Sequence, residues 1–235
     1  IYRVPIFPRG SASPIRLFFN YLSYVLSAIF IGFFKLRNRR YDVVFTFATS
    51  PISVAIPSLF FCWIKKSKHI LWVLDLWPDI LEELNIVKNR FVRNKLHQTI
   101  NYIYRKSDII LAQSKGFVNT IRSRVENKEK VHLFYSWYEQ LKPHVDYFEP
   151  NNVKKKFNIV FTGNVGEAQN FDNIIKVAES LKNEEDLQWI VVGTGRKLED
   201  IKVKIKQKKI NNFLLVGHKP IEAMSHYHKI ADVLL

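Results

Sequence analysis

Two glycine turns, each placed directly after an apolar strand pattern, constrain this chain more than any other feature. The first strand pattern runs into TGNVG (residues 162–166), and the second, after a helical pattern, runs into GTGR (residues 193–196). Glycine in such turns lets backbone N–H groups approach an anion at the N-terminus of the following helix. The stretch therefore predicts a βαβ unit that binds a nucleotide or another phosphate-bearing ligand.

Neither turn has the dinucleotide-binding pattern GxGxxG or the P-loop pattern GxxxxGK[ST], which disfavours dehydrogenases and ATPases. The arginine of the second turn, Arg196, is suited to fork onto a diphosphate. A third turn, GHKP (residues 217–220), follows the next strand pattern, and its proline can open a helix. We expect its backbone to contact the edge of a nucleobase; a simple loop is the alternative.

Strand and helix patterns alternate along most of the chain. Strands are predicted at residues 41–46, 69–74, 108–111 and 130–134, and again at 158–162, 187–192 and 213–216. Near-continuous apolar strands separated by helices are typical of parallel sheets that are covered on both faces. The predicted fold class is α/β, with two doubly wound, Rossmann-like domains.

The alternation is interrupted at residues 138–156, where proline, asparagine and lysine give the composition of a linker. We predict an N-terminal domain over residues 1–140, a linker over 141–156 and a C-terminal domain over 157–235. The cleft between two such domains is the expected active site. The first residue, Ile1, and the apolar run that ends at Leu235 further predict an internal fragment that lacks both ends.

Positive charge is concentrated in the first part of the chain. Of the net charge of +15, +11 lies before residue 151, and the first 40 residues contain seven basic residues and no acidic one. Such a surface suits anionic lipid headgroups or nucleic acid. Because no nucleic-acid-binding motif is present, a membrane is favoured and no nucleic-acid partner is expected, although lysine richness can also reflect genomic composition.

Residues 15–36 form a nearly uncharged apolar segment that is long enough to cross a bilayer. A weakly polar stripe at helical spacing, which includes Asn20 and Ser23, opposes a membrane-spanning helix. Three alternatives stay open: a transmembrane helix, a buried or surface helix of the domain, and a helix in the membrane interface.

Two carboxylates follow the strand predicted at residues 69–74. Asp75 and Asp79 are expected at the carboxyl end of that strand, where either can accept a proton or a hydroxyl hydrogen bond from a substrate. The alternative for Asp79 is a structural role at a helix N-terminus. Cys62 stands alone and the histidines lack partners at ligand spacing, so we predict no disulfide and no metal site.

Together these features resemble the family-four retaining glycosyltransferases of the GT-B fold, in particular enzymes of bacterial surface-polysaccharide assembly that are similar to fucosamine transferases. The resemblance is carried by LDLWPD (74–79), FTGNVG (161–166) with Gln169, VGTG (192–195) and residues 217–235 with YHKIADV. It covers nearly the whole chain.

The resemblance implies a nucleotide-sugar donor on the second domain and an acceptor, often lipid-linked, on the first. The candidate catalytic residues are Asp75 and Asp79, either of which would orient acceptor hydroxyls. The implied donor-binding residues are Gly163, Asn164, Gly166, Gln169, Gly193, Gly195, Arg196, His218, Lys219, Pro220 and Met224.

Three positions depart from the family pattern. Leu74 occupies the place where many members have a histidine, and Asn164 and Gln169 stand where an arginine and a lysine often hold the diphosphate. Neutral amides can bond phosphate oxygens but cannot neutralise them, so Arg196, Lys197 or residues outside this sequence would have to supply the charge. The family's pair of glutamates, Glu-x7-Glu, would lie beyond Leu235, so this stretch alone is expected to be inactive.

The predicted function of the intact protein is retaining transfer of a sugar from a uridine-diphosphate donor to a lipid-linked saccharide in cell-surface polysaccharide synthesis. The predicted location is cytoplasmic, on the inner face of the plasma membrane, with no cofactor. Two alternatives are a nucleotide-sugar 2-epimerase, which needs no membrane, and a donor-binding but inactive partner subunit.

Overall fold

The computed structural model describes residues 1–10, 13–83, 87, 89–137 and 156–235. The chain divides into two compact units, Ile1–Trp137 and Tyr138–Leu235. The predicted linker, apart from Lys156, lies outside the described residues. The domain boundaries therefore stay predictions.

The first unit alternates helices and strands. Its elements are α1 (Pro14–Leu36), β1 (Val43–Ala48), α2 (Ala55–Lys65), β2 (Lys68–Val73), α3 (Asp79–Glu83), α4 (Arg90–Lys106), β3 (Ile109–Ala112), α5 (Lys115–Arg122) and β4 (Val131–Leu133). The strands form a parallel sheet in the order β1-β2-β3-β4. Short 3₁₀ turns at Ile52–Val54 and Lys128–Lys130 precede α2 and β4.

Side-chain caps mark the starts of helices in this unit, as α4 and α5 show. Asn89 Oδ1 accepts hydrogen bonds from the backbone N–H groups of Phe91 and Val92 at the start of α4. Ser114 Oγ accepts one from Phe117 N at the start of α5. Each bond satisfies an N–H group that has no partner within the helix.

The two faces of the first sheet differ. One face carries the buried core side chains, which pack against helices of the unit, among them Leu71, Val73 and Ile110. The other face carries an aromatic cluster around Trp72, whose partners Phe45 and Phe47 are exposed. In the described residues, this second face is thus less covered than the near-continuous apolar strands predict, because strand periodicity does not report what lies above a face.

The core face also contains a buried histidine network. His69 Nε2 lies 2.8 Å from Thr46 Oγ1, and His69 Nδ1 lies 3.0 Å from Ser107 Oγ. Since Ser107 Oγ donates to Ile103 O, the hydroxyl must accept from Nδ1–H, and Nε2 in turn accepts from the Thr46 hydroxyl. Burial lowers the pKa of His69 to about 4, against an opposing influence of Asp108. The network therefore holds a neutral imidazole.

The second unit contains β5 (Phe157–Thr162), α6 (Phe171–Ser180), β6 (Leu187–Val192), α7 (Leu198–Lys208), β7 (Phe213–Gly217), α8 (Met224–Lys229) and β8 (Val233–Leu234). The strands are parallel in the order β7-β6-β5-β8. Separate buried clusters cover the two faces of this sheet. The unit is therefore doubly wound, as predicted, and the order in which successive strands are added to the sheet reverses between β5 and β8.

Element boundaries differ slightly from the predicted ones. The strand predicted at residues 41–46 lies two residues later, because its pairing with β2 begins at Val43 and Lys68. The helix after β1 begins as a 3₁₀ turn at Ile52 and becomes α-helical at Ala55. The helix after β7 does the same, beginning as a 3₁₀ turn at Ile221 and becoming α-helical at Met224.

Helix α1 lies on α2 and on the 3₁₀ turn before it, with an extended arm (residues 1–10) along its polar stripe. Asn20 Nδ2 donates to Phe7 O at 2.5 Å, and Phe7 N donates to Ser23 Oγ at 2.8 Å. Arg9 Nε donates to Asn20 Oδ1 at 3.1 Å. Asn20 and Ser23, which oppose a membrane-spanning helix, are therefore hydrogen-bonded within the unit.

Candidate functional site

A cavity of about 290 Å³ lies at the carboxyl ends of the strands of the second unit. Turns after β5, β6 and β7 line it together with the first residue of α8. Because β5 borders the point where the strand order reverses, this edge is where open α/β sheets bind ligands. The lining residues are Gly163, Asn164, Val192, Gly193, Thr194, His218, Lys219 and Met224.

Six of the predicted donor-binding residues thus line one cavity: Gly163, Asn164, Gly193, His218, Lys219 and Met224. Asn164 and His218 are exposed, so their side chains are accessible to a ligand. Val192 and Thr194 also line the cavity but were not predicted, although both neighbour predicted glycines in the sequence.

Backbone hydrogen bonds join the turns after β5 and β6. Gly163 N donates to Val192 O at 2.9 Å, and Val165 N donates to Thr194 O at 2.9 Å. A Cβ atom on Gly193, whose φ is +147°, would lie 1.8 Å from Gly163 O. A Cβ atom on Gly195 would lie 2.1 Å from Val165 O. These two glycines allow the turns to meet, a reason that differs from the predicted approach to an anion.

Gly166 and Gln169 belong to the turn after β5 but do not line the cavity. Gln169 Oε1 accepts a hydrogen bond from Gly166 N at 3.1 Å, which closes the turn before α6. In this structure the Gln169 side chain thus organises its own turn. Pro220 likewise lies beside the cavity and precedes the 3₁₀ turn Ile221–Ala223.

The basic residues in and near the cavity differ in their positions and in their ion-pair partners. Lys197 Nζ pairs with Glu167 at 3.1 Å and lies 4.0 Å from Asp200. Arg196 is exposed beside the cavity but does not line it. Lys219 is the cationic residue among the lining side chains.

A further polar pair lies at the end of β5. Thr162 Oγ1 is 3.2 Å from Nε2 of His228, which projects from α8. The sequence places His228 in the motif YHKIADV but does not predict this contact. Among the described residues, no group of three or more histidine, cysteine or acidic side chains is arranged to hold a metal ion.

Asp75 and Asp79 follow β2 in the first unit, at the carboxyl end of the strand as predicted. Asp79 begins α3 and pairs with Arg124, whose Nη2 is 2.6 Å from Asp79 Oδ1. Arg124 Nη1 also donates to Trp77 O at 3.0 Å. This geometry gives Asp79 a structural role, while Asp75 is half-buried at the same edge.

Other side chains hold the segment of residues 74–79 in place. Trp77 Nε1 donates to Ser50 Oγ at 3.0 Å, and Gln113 Nε2 donates to Leu74 O at 2.6 Å. Sequence reasoning missed Arg124 and Gln113, because both lie far along the chain and no local pattern marks them.

Parts or all of the chain are similar in sequence to known proteins. Residues 145–235 match the family described as "Glycosyl transferases group 1". The chain is 22% identical over 97% of its length to "Probable glycosyltransferase WbjE" of Pseudomonas aeruginosa, and 25% identical over its whole length to "Uncharacterized glycosyltransferase MJ1069" of Methanocaldococcus jannaschii. The chain spans 58% and 59% of the lengths of these two relatives.

A solved structure shows the same architecture. The Anabaena protein Alr3699/HepE, crystallised with UDP and glucose, aligns with 98% of this chain at a TM-score of 0.64 and 10% identity, and 57% of its own length is covered. This likeness bears on the fold. The chain has the GT-B fold of two Rossmann-like units, and its second unit carries the sequence pattern of the group 1 glycosyl transferases.

Proposed function

We propose that the intact protein transfers a sugar from a UDP-linked donor to a lipid-linked saccharide, with retention of configuration, in cell-surface polysaccharide synthesis. The observation that carries the proposal is the cavity of the second unit, which gathers six predicted donor-binding residues at the edge of the sheet. Support comes from the family match over residues 145–235 and from the UDP and glucose bound to Alr3699/HepE.

Within this proposal, the donor lies across the turns after β5, β6 and β7. The backbone at Gly163 and Asn164 faces the diphosphate, and the turn that contains His218 and Lys219 contacts the base. Lys219 supplies positive charge to the cavity, since Lys197 is already paired with Glu167. Catalysis rests on electrostatic stabilisation of the departing diphosphate.

On the acceptor side, Asp75 is the residue that we assign to orienting hydroxyl groups. Asp79 is bonded to Arg124, and a carboxylate held by a guanidinium is a poorer acceptor for a new hydroxyl. Asp79 and Arg124 instead hold the backbone at Trp77 in place.

The proposed location is the inner face of the plasma membrane. Helix α1 exposes a stripe of apolar side chains at helical spacing, including Phe18, Leu22, Leu26 and Phe30. Basic residues stand near both ends of the helix, at Arg16, Lys35 and Arg37, and no acidic residue precedes Asp42. An apolar face with a basic margin is typical of helices that lie in an anionic membrane interface.

The first test is donor binding and turnover by the full-length protein. Titration calorimetry with UDP should give binding that weakens in Lys219→Ala and Arg196→Ala, while Lys206→Ala, an exposed lysine of α7, leaves it unchanged. An unchanged affinity of Arg196→Ala for UDP would show that Arg196 does not belong to the binding site.

Product analysis then separates the alternatives. Transfer of a labelled sugar from its UDP donor to a lipid extract supports the transferase. Inversion at C2 of the sugar indicates an epimerase, and UDP binding without turnover indicates the inactive partner subunit. That alternative is favoured by Asn164 and Gln169, which are neutral where an arginine and a lysine often stand.

A matched pair of substitutions tests the two carboxylates. Asp75→Asn should lower the turnover number and leave thermal unfolding unchanged. Asp79→Asn should lower the melting temperature, because it weakens the charged hydrogen bond from Arg124. The opposite pattern would assign the acceptor role to Asp79.

A further inference from the structure

A second cavity, of about 250 Å³, lies beneath α1 in the first unit, and its lining atoms are almost all apolar. The walls come from α1, from the start of α2 with the 3₁₀ turn before it, and from α4. Representative lining residues are Phe18, Leu22, Val25, Ile56, Trp77 and Ile103. A cavity of this composition excludes water and favours a hydrocarbon group.

The position of this cavity links it to the acceptor edge of the sheet. Trp77, which lines it, stands two residues after Asp75, and the turn after β1 also contributes through Pro51 and Ile52. The hydrogen bond from Trp77 Nε1 to Ser50 Oγ satisfies the polar edge of the indole, so the ring can present carbon to the cavity.

The cavity also meets the exposed apolar face of α1. Phe18 and Leu22 line the cavity and are exposed, so they belong to both surfaces. A hydrocarbon chain can therefore pass from a membrane interface into the cavity along apolar side chains.

Basic residues stand beside the lining residues of both α1 and α4. Arg16 is exposed two residues before Phe18 on α1, and Lys95 is exposed immediately before the lining residue Leu96 on α4. These cations suit a phosphate group attached to the end of an apolar chain.

We propose that the cavity beneath α1 binds the hydrocarbon chain of the lipid-linked acceptor. This inference rests on the proposed function, which supplies an acceptor that carries a lipid. The acceptor is preferred to a bulk phospholipid because the cavity is built partly from the segments that follow β1 and β2, the second of which contains Asp75.

The test is photolabelling of the full-length protein with farnesyl phosphate that carries a diazirine at the end of its chain, followed by peptide mapping. Label is expected in peptides with residues 18–25, 51–56 and 96–103. In Val25→Trp, which fills the cavity, the probe concentration for half-maximal labelling should rise about tenfold. In Leu26→Trp, where the replaced side chain is 58% exposed and does not line the cavity, it should not change.

Ile56→Phe fills the cavity from α2 and gives a second variant if Val25→Trp does not fold. Label confined to the outward residues of α1, such as Leu26 and Phe30, or equal labelling of the Val25 and Leu26 variants, would overturn the proposal. Competition by phosphatidylglycerol as strong as that by undecaprenyl phosphate would assign the cavity to bulk phospholipid and would also overturn it.

This readout is independent of sugar transfer. UDP binding, measured by calorimetry on the same preparations, reports on the second unit alone. Loss of specific labelling with intact UDP binding rejects the lipid cavity, whereas specific labelling without UDP binding or turnover rejects the proposed transferase.

Discussion

At the scale of single residues, the glycines of the second unit show how one pattern can have two physical causes. The sequence places Gly193 and Gly195 correctly after β6, in a turn beside the cavity. The expected cause was the approach of an anion, yet a Cβ atom at either position would collide with the backbone of the turn after β5. The contact between the two turns therefore by itself requires residues without a side chain at both positions.

A substitution at Gly193 should consequently destabilise the protein. Alanine there meets a positive φ and a backbone oxygen 1.8 Å away, and we expect a loss of roughly 2–4 kcal/mol in the free energy of unfolding. Gly116→Ala is the control, because that Cβ would have Ser114 Oγ at 3.8 Å as its nearest neighbour, within α5. Urea unfolding should show the control unchanged or stabilised by up to about 1 kcal/mol; similar midpoints for the two variants would contradict the role of the turn contact.

The buried His69 predicts a pH dependence of stability. Its pKa is lowered to about 4 in the folded state, below the ordinary value of 6.5, so the unfolded chain binds the proton more readily. The neutral imidazole therefore contributes stability above about pH 6.5, and this contribution is lost progressively as the pH falls from about 6.5 to about 4. Between pH 7 and 5 the free energy of unfolding should fall by roughly 2 kcal/mol from this group.

His69→Gln, which cannot titrate, tests that assignment in urea titrations at both pH values. The variant should be less stable than the wild type at pH 7, since it disturbs the bonds to Thr46 and Ser107, but its stability should decline less with acid. An equal decline in both proteins would show that other groups govern the acid response.

At the scale of elements, α1 shows that the pattern of apolar residues in a helix does not decide what its apolar face contacts. The segment Ile15–Leu36 has the length and hydropathy of a membrane-crossing helix, and 6% of its most apolar window is buried. Length and composition alone do not separate the three predicted alternatives. The structure adds two facts, namely that the polar stripe is bonded to the arm before it and that the apolar stripe faces outward. These facts favour the interfacial alternative.

Membrane association should therefore depend on the outward stripe. Phe30 is 66% exposed, and Phe30→Ser should lower partitioning onto phosphatidylglycerol liposomes by about tenfold, because one aromatic side chain no longer enters the bilayer. Val203→Ser, on an exposed apolar position of α7 in the second unit, is the matched control. Flotation at low and at physiological salt checks both, and equal flotation of the two variants would count against α1 as the contact.

At the scale of the whole molecule, the two sheets differ in how far their order could be predicted. Alternating patterns indicate two parallel α/β units, and both are found. The position of β8 beside β5 was not predictable from any local pattern, although it creates the reversal of strand order next to the cavity. The predicted linker and the predicted cleft between the units stay predictions.

Ligand binding should affect the two units differently. If UDP occupies the cavity of the second unit, it should slow amide hydrogen exchange in the turns at residues 163–166, 193–195 and 217–219. At a concentration one hundred times the dissociation constant, the stabilisation of the binding-competent state is about 2.7 kcal/mol. Exchange mass spectrometry of the full-length protein should show little change in β1 and β2. Protection confined to the first unit would contradict the placement of the donor.

By itself, the sequence determined the type and order of the elements, the three glycine turns and the neighbourhood of the candidate site. These depend on local periodicity and on the restricted backbone geometry near glycine and proline, which short windows report. The tertiary structure decided which charged groups are already engaged, as for Asp79 with Arg124 and Lys197 with Glu167. It also formed the cavity beneath α1 from four separate segments, because partners distant in the chain meet only when helices and strands pack.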